Sequence, residues 1–325
     1  MRNIAIFGAG RIGLAVERLL SWEGYGSTLY DIGSYADEVF DKHDIFLCAT
    51  PWQATEHIMR NIAKRSGKIY FDLTEDVEIG RNARKGSKSV MIPHCGLAPG
   101  AVSIIAASMF PANKIDLRVG AIPVNPTGAL KYHLNWSTDG LVNECLKPCP
   151  AIIDGEFVQL APLDDLISFL GPDGYEAFNT SGGVGTLAET LLGKSSHVRY
   201  QTIRYQGHRD LFRFLVEDLK FKDHPDDLVK LLDSSLPQGG DDKIVIRIDA
   251  DRQAYRREIF GHNDMSAIQY STAAGVVAAM IWAIRKDLTK IDGQVNLREG
   301  NWIANEDIPR EDLQDISVWK TAYET

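Results

Sequence analysis

The chain opens on an apolar run, IAIF, that stops at a glycine turn, and the same figure returns along residues 1–110. Short continuous apolar runs alternate there with stretches whose apolar residues recur every three or four positions. A short unbroken run predicts a strand buried on both faces, and the three-to-four spacing predicts an amphipathic helix. Strands are expected at Asn3–Phe7, Ser27–Tyr30, Ile45–Ala49, Lys68–Asp72 and Ser89–Ile92, with helices near Ile12–Glu23, Gln53–Lys64, Glu78–Lys85 and Ala101–Met109. That alternation implies parallel strands joined by helical crossovers, an α/β doubly wound sheet. The segment between Asp31 and Asp44 is short for a full crossover, so one is expected to be trimmed.

From about Ile122 the pattern changes to longer β-like runs, Tyr132–Ser137 and Lys243–Ala250 among them, broken by Gly and Pro turns and by one strong helix, Arg209–Lys220. Ile244, Ile246 and Ile248 share one face of the Lys243–Ala250 run, because side chains alternate along a strand. A second, α+β domain with an extended mixed sheet follows. The longest apolar run, Ala273 to Ile284, is twelve residues, fewer than the ~20 that span a bilayer. It reads as part of a buried helix, Met265–Arg285, returning to the first domain. The expected division is 1–121, completed by about 264–325, and 122–263.

Composition narrows the function. A 325-residue chain, 44% hydrophobic and 24% charged, has the make-up of an ordinary folded protein. Its net charge of −9, without a Lys/Arg cluster, argues against nucleic-acid binding. The four cysteines, Cys48, Cys95, Cys145 and Cys149, lack CxxC spacing, so no metal is expected and reduced thiols in a cytoplasm fit best. The opening MRNIAIFGAG reads as strand and turn, not as a signal peptide, and no membrane partner is expected.

The candidate chemistry starts at Gly8-Ala9-Gly10-Arg11-Ile12-Gly13, which fits G-x-G-x-x-G between a strand and a helix. Gly8 permits a tight turn, Gly10 admits a pyrophosphate, Gly13 allows close helix packing, and the helix N-terminus offers N–H groups to phosphate. This is the fingerprint of a Rossmann unit. Asp31, eighteen residues past Gly13, suits a ribose diol and repels a 2′-phosphate, favouring NAD over NADP, although Arg11 sits in the loop. Ala49-Thr50-Pro51 ends the next strand where cofactor ribose and nicotinamide would lie, or simply starts a helix.

Two further segments carry titratable groups. In Ile92-Pro93-His94-Cys95-Gly96-Leu97-Ala98-Pro99-Gly100 a strand meets a turn and a helix, placing His94 and Cys95 at the sheet's carboxyl edge. His94 suits proton transfer near neutral pH, and Cys95 is a polar contact or, with a lowered pKa, a base. In Arg204-Tyr205-Gln206-Gly207-His208 an Arg fork suits a substrate carboxylate, or pairs with a surface acid. Leu134–Ser137 and Ser181–Thr186 are candidates to line the same place, the latter as flexible turn or anion cradle.

In order, GAGRIG, CGLAPG, NWS, GGVGTLAETLLGK and IRYQGHRDLFRFLVEDL resemble the saccharopine dehydrogenase and L-lysine 6-dehydrogenase family over about residues 3 to 285. The resemblance implies an NAD-dependent, two-domain homodimer that oxidises or reduces a carbon bearing nitrogen in a basic amino acid, an opine or a carboxylated polyamine. It places Cys95 and Gly96 beside the nicotinamide and turns Trp136, Arg204 and His208 toward substrate. His94 stands where relatives often carry Asp or Gly. Amine oxidation needs a neutral amine, and deprotonating an alkylammonium of pKa ~10.4 at pH 7 costs roughly 4–5 kcal/mol. His94, Asp72 and His208 are the candidate proton carriers. A carboxylated-polyamine reductase, a dehydrogenase of hydroxy acids and a non-catalytic NAD-binding protein are the rival readings.

Overall fold

The computed structural model describes residues 3–31, 33–75, 78, 85–169, 174–290, 297–298 and 301–324. It divides into two compact units, Met1–Ser108 with Gln269–Thr325, and Met109–Ile268. The boundaries thus fall before Met109 and after Ile268, not at 121/122 and 263/264. The reason is strand Lys114–Pro123, which pairs wholly within the second unit's sheet.

The first unit is a five-stranded sheet, β1 (Ile4–Phe7), β2 (Ser27–Tyr30), β3 (Ile45–Cys48), β4 (Ile69–Asp72) and β5 (Val90–Ile92), in the order β2-β1-β3-β4-β5. All its pairings are parallel. Every residue of β1, β3 and β4 is buried, as their unbroken apolar runs require. Helices α1 (Arg11–Trp22), α2 (Val39–Lys42), α3 (Trp52–Ala63) and α4 (Ala101–Ser108) cover the sheet, and α2, a single turn, is the trimmed crossover. The helix expected near Glu78–Lys85 lies outside the described residues apart from its two ends.

Two returning segments complete this unit. Met91 N–H donates to the Asn301 carbonyl at 3.0 Å and Ile303 N–H to the Met91 carbonyl at 2.9 Å, so residues 301–303 pair alongside β5. The apolar helix is longer than its twelve-residue run: Ala267–Arg285, 19 residues with mean hydropathy 1.5, has the length and composition to cross a membrane. Yet 78% of that stretch is buried in the protein, and Gly275 packs on the Gly96 carbonyl where a Cβ would collide. It is a core helix.

The second unit holds an eight-stranded mixed sheet, β6 (Lys114–Pro123), β7 (Cys149–Ile153), β8 (Glu156–Leu160), β9 (Ile167–Phe169), β10 (Tyr175–Asn179), β11 (His197–Tyr205), β12 (Asp242–Ala250) and β13 (Gln253–Phe260). The order is β13-β12-β6-β11-β10-β9, with β7 joining β11 to β8. Ile244, Ile246 and Ile248 of β12 are fully buried. Two sequence expectations fail here. Tyr132–Ser137 is a loop, not a strand, because Ser137 caps helix α5 (Thr138–Leu146) by accepting the Gly140 N–H. Arg209–Lys220 is not one helix: the α-helical turns His208–Arg213 pass into a π-helical turn, Phe214–Asp218.

Candidate functional site

In the first unit the sheet order reverses at β1, which lies between β2 and β3, and ligands of doubly wound sheets bind beyond the strand ends at such a point. The glycine turn is there. Gly8 holds φ +104°, and a Cβ on it would collide with the Ala49 carbonyl, so the glycine turn and the β3–α3 loop are in contact. A Cβ on Gly13 would collide with the Gly8 carbonyl, which is why α1 can start so close to the turn.

Gly10 differs from both. Its backbone, φ −80° and ψ −173°, suits any residue, it is exposed, and a Cβ on it would meet nothing within 4 Å. It is the N-cap of α1, and no side chain caps the helix's first N–H groups. Asp31 follows the last residue of β2 and is exposed. Thr50 turns inward, its hydroxyl 3.0 Å from Cys48 Sγ and 3.2 Å from Thr55 Oγ1, while Pro51 is the N-cap of α3. Arg11 is exposed and Ile12 half-buried on the first turn of α1.

The second part of this unit's site is the turn after β5. Asp72 Oδ1 accepts the backbone N–H of His94 at 2.9 Å and that of Thr74 at 3.1 Å. His94 is buried with φ +63°, and its Nδ1 lies 2.7 Å from the Thr74 carbonyl. A carbonyl only accepts, so Nδ1 carries the proton and Nε2 is the basic nitrogen of the neutral ring.

Asn305, which no motif singles out, clamps this turn. Its Nδ2 donates to the Pro93 carbonyl at 2.8 Å and the His94 carbonyl at 2.7 Å, and its Oδ1 accepts from the Cys95 thiol at 3.1 Å. Burial, with the Asp72 charge nearby, pushes the Cys95 thiol well above its ordinary pKa. Cys95 is therefore a neutral donor fixed in the turn, and the idea of it as a base is corrected. Gly96 lies beneath, against Gly275.

In the second unit, Arg204 and His208 belong to a buried cluster built on Tyr132. The guanidinium of Arg204 lies over the Tyr132 ring at 5.0 Å, and its Nη2 is 3.8 Å from Glu144 Oε2 on α5. Trp136 Nε1 donates to the Tyr132 hydroxyl at 2.7 Å. The His208 ring stacks with Phe178 and Phe212 and meets Tyr132 edge-on. Its Nδ1 donates to the Leu130 carbonyl at 2.9 Å. Burial, reinforced by the Arg204 charge, pushes its pKa down to about 3, so His208 stays neutral near pH 7 and is a poor proton carrier there.

Glu144 is, with Asn305, a residue that the sequence motifs do not single out. Burial pushes its carboxyl up to about 7 against the pull of Arg204. Its signal was present: it follows Leu141 and Val142 and precedes Cys145 on the buried side of α5, an acid among apolar neighbours. The Ser181–Thr186 glycine run is not an anion cradle. The N–H groups of Gly183 and Gly185 are spent on carbonyls within the turn, and Gly183 packs against the Tyr200 ring.

A parallel sheet with the glycine turn at its reversal point, in a chain whose second unit holds a large mixed sheet, is a Rossmann-type architecture. More particularly, it is a saccharopine dehydrogenase-like fold. The apo saccharopine dehydrogenase (L-Glu forming) of Saccharomyces cerevisiae superposes with a TM-score of 0.70 at 12% identity, over 98% of this chain and 98% of that one. The DAP dehydrogenase of C. glutamicum aligns over 100% and 99% of the two chains at 10% identity, with a TM-score of 0.45. An engineered D-amino acid dehydrogenase aligns over 97% and 96% at 12% identity and 0.48. No protein-family model matches the sequence.

Proposed function

We propose that this protein is an NAD-dependent oxidoreductase acting on a carbon–nitrogen bond of an amino acid or opine. The observation that carries the nucleotide half is Gly10. Neither its backbone angles nor its neighbours call for a glycine, and it stands exposed at an uncapped helix N-terminus. A pyrophosphate lying against that backbone explains the missing side chain. Gly8 to Gly13 would hold the pyrophosphate and Asp31 the adenosine ribose diol. Arg11, Ala49, Thr50, Pro51 and Gly96 would line the remainder. The nicotinamide, when bound, accepts or supplies the hydride.

The chain's own residues handle protons and orientation. His94 Nε2 is the base that takes a proton from the substrate ammonium, oriented by the Nδ1 contact to Thr74 and by Asp72 and Asn305 on its backbone. Loss of hydride from the neutral amine's carbon gives an iminium ion, which water hydrolyses to the carbonyl and the free amine. Within the second unit, Arg204, Trp136 and Tyr132 are the candidate substrate contacts. The likeness to saccharopine dehydrogenase over nearly the whole chain supports the C–N assignment.

The test is an NAD and NADP titration followed by a screen of lysine, saccharopine, ornithine, diamines and carboxylated polyamines for change in reduced-nicotinamide absorbance. Turnover of an amine with NAD is the expected result. Turnover of hydroxy acids alone, or binding of neither nucleotide, overturns it. A homodimer in the cytoplasm is part of the same proposal, and sedimentation velocity checks the dimer.

A further inference from the structure

The mixed sheet of the second unit ends on β13, and among the described residues β12 is the only strand that pairs with it. The sheet's other ends, β8 and β9, are five and three residues long. β13 has eight residues, no proline and an unbroken one-to-one register with β12, so it lacks the short length, proline or bulge that blunts an edge. Its backbone direction follows from β12. The Asp251 N–H donates to the Lys114 carbonyl on β6, so the odd-numbered residues of β12 face β6 and Ile244, Ile246, Ile248 and Ala250 face β13. Their partners Ile259, Arg257, Tyr255 and Gln253 turn N–H and C=O back toward β12. Ala254, Arg256, Glu258 and Phe260 therefore turn theirs outward. All four residues are exposed, and Phe260, at 54%, is the most exposed large apolar side chain among the described residues.

We infer that a second copy of the chain pairs with this edge, β13 against β13 in antiparallel order about a two-fold axis through Arg257. This rests on the proposed homodimer for the existence of the second copy, and on nothing in the proposed chemistry. The charges choose the register. Outward residues must lie opposite outward residues to exchange backbone hydrogen bonds, so the axis passes through a residue and not between two. With the axis at Arg256, Arg256 faces its own copy; with the axis at Glu258, carboxylate faces carboxylate. Neither register contains an opposite-charge pair. With the axis at Arg257, Arg256 faces Glu258 of the second copy, Glu258 faces its Arg256, and Phe260 covers the other copy's Ala254 at both ends. Each of the three registers sets one like pair on the axis, here Arg257 with its copy, but only this one adds opposite pairs, which attract directly across an antiparallel ladder. Arg256 and Glu258, with side chains 45% and 42% exposed, already pair with Asp249 and Lys243 on the same face, so the new contacts extend a charged row. An edge guarded against self-pairing carries charges of one sign. This edge carries both, in the order its own copy complements.

Sedimentation equilibrium of the full chain over a range of concentrations should show a dimer. Arg256→Glu and Glu258→Arg each turn both attractive pairs into repulsive ones, and each should raise the dimer dissociation constant about tenfold or more. An equimolar mixture of these two variants sets opposite charges across every pair between unlike chains and should restore the dimer, as should the chain carrying both substitutions. Ala254→Pro removes an N–H that β12 does not use, so it should weaken the dimer and leave the thermal midpoint near that of the wild type. Glu258→Ala, which introduces no repulsion, serves if a charge-reversed variant does not fold, and should also weaken the dimer. A monomeric wild type overturns the pairing together with the proposed homodimer. A dimer equally tight in wild type and all variants, or a mixture no tighter than its components, overturns the pairing and leaves the homodimer standing. Nicotinamide-linked turnover, read on the same samples, is a separate axis: a dimer that responds to these variants but turns over no substrate keeps the pairing and removes the oxidoreductase reading.

Discussion

Asp72 and His94 are joined through the backbone, not through their side chains: Oδ1 of the carboxylate takes the His94 N–H at 2.9 Å. The bond holds His94 in a left-handed conformation at φ +63°. Oδ2 of Asp72, also buried, has no hydrogen-bond partner among the described residues. Asp72 is thus a positioning residue for His94. Asp72→Asn keeps an acceptor oxygen and should hold kcat within a few-fold. Asp72→Ala should cost about 10- to 100-fold, the penalty of a displaced catalytic group. If Asp72 itself carried the transferred proton, both variants would lose activity alike, and the pH–rate profile would lose its basic group in both.

Asn305→Ala deletes three hydrogen bonds and leaves the Pro93 and His94 carbonyls without the amide that serves them. At roughly 1–3 kcal/mol for each of the two buried carbonyls left unpaired, the expected loss is on the order of 2–6 kcal/mol. Urea unfolding measures it. Asn305→Asp, which aims an acceptor at two carbonyls, should lose at least as much.

Gly10→Ala separates ligand from fold. Because its Cβ meets nothing within 4 Å, the thermal midpoint should stay within about 2 °C of wild type. Reduced-nucleotide binding, followed by fluorescence, should weaken about tenfold or more. Gly8→Ala and Gly13→Ala should instead lower the thermal midpoint, since both collide with backbone. Equal nucleotide affinity in Gly10→Ala and wild type would remove the turn as the phosphate site.

His208 gives the protein an acid-labile joint. Its folded pKa, about 3, lies below the ordinary histidine value of 6.5, so the unfolded chain takes up the proton first as pH falls. The stability it contributes is whole above pH 6.5 and is lost progressively down to about pH 3. Glu144 acts oppositely: its raised pKa costs stability as pH rises from 4.5 toward about 7. His208→Asn, whose amide can still serve the Leu130 carbonyl, should flatten the acid side of a stability–pH curve. An unchanged curve would show that the ring takes up its proton equally readily in the folded and the unfolded chain.

The first unit was legible because β1, β3 and β5 are unbroken apolar runs, with Gly8 after β1 and Pro93 after β5, signals local to a few residues. Ala273 to Ile284 also read correctly as interior, although the helix around it is longer than the run. The second unit was less so. Leu134-Asn135-Trp136-Ser137 has the residues of a strand, yet Ser137 spends its hydroxyl as a helix cap and Trp136 packs against Gly140, choices made by contacts that periodicity does not encode. Arg204 and His208 were visible as polar residues in a strand-to-helix turn. Their partner Glu144 lies some sixty positions earlier, and only the packing of α5 brings it near. Asn305 carried no sequence signal, because its function consists of bonds to backbone that any sequence possesses.

The pairing of Cys95 with Asn305 spans 210 positions of chain, and this has a consequence for synthesis. A growing chain emerges from its N-terminus onward. The strand edge at β5 and the turn behind it therefore leave the ribosome long before residues 301–305 exist to cover them. Until then that edge is an open template for other strands. The nascent protein is most exposed to mispairing during the interval in which its second unit is being made.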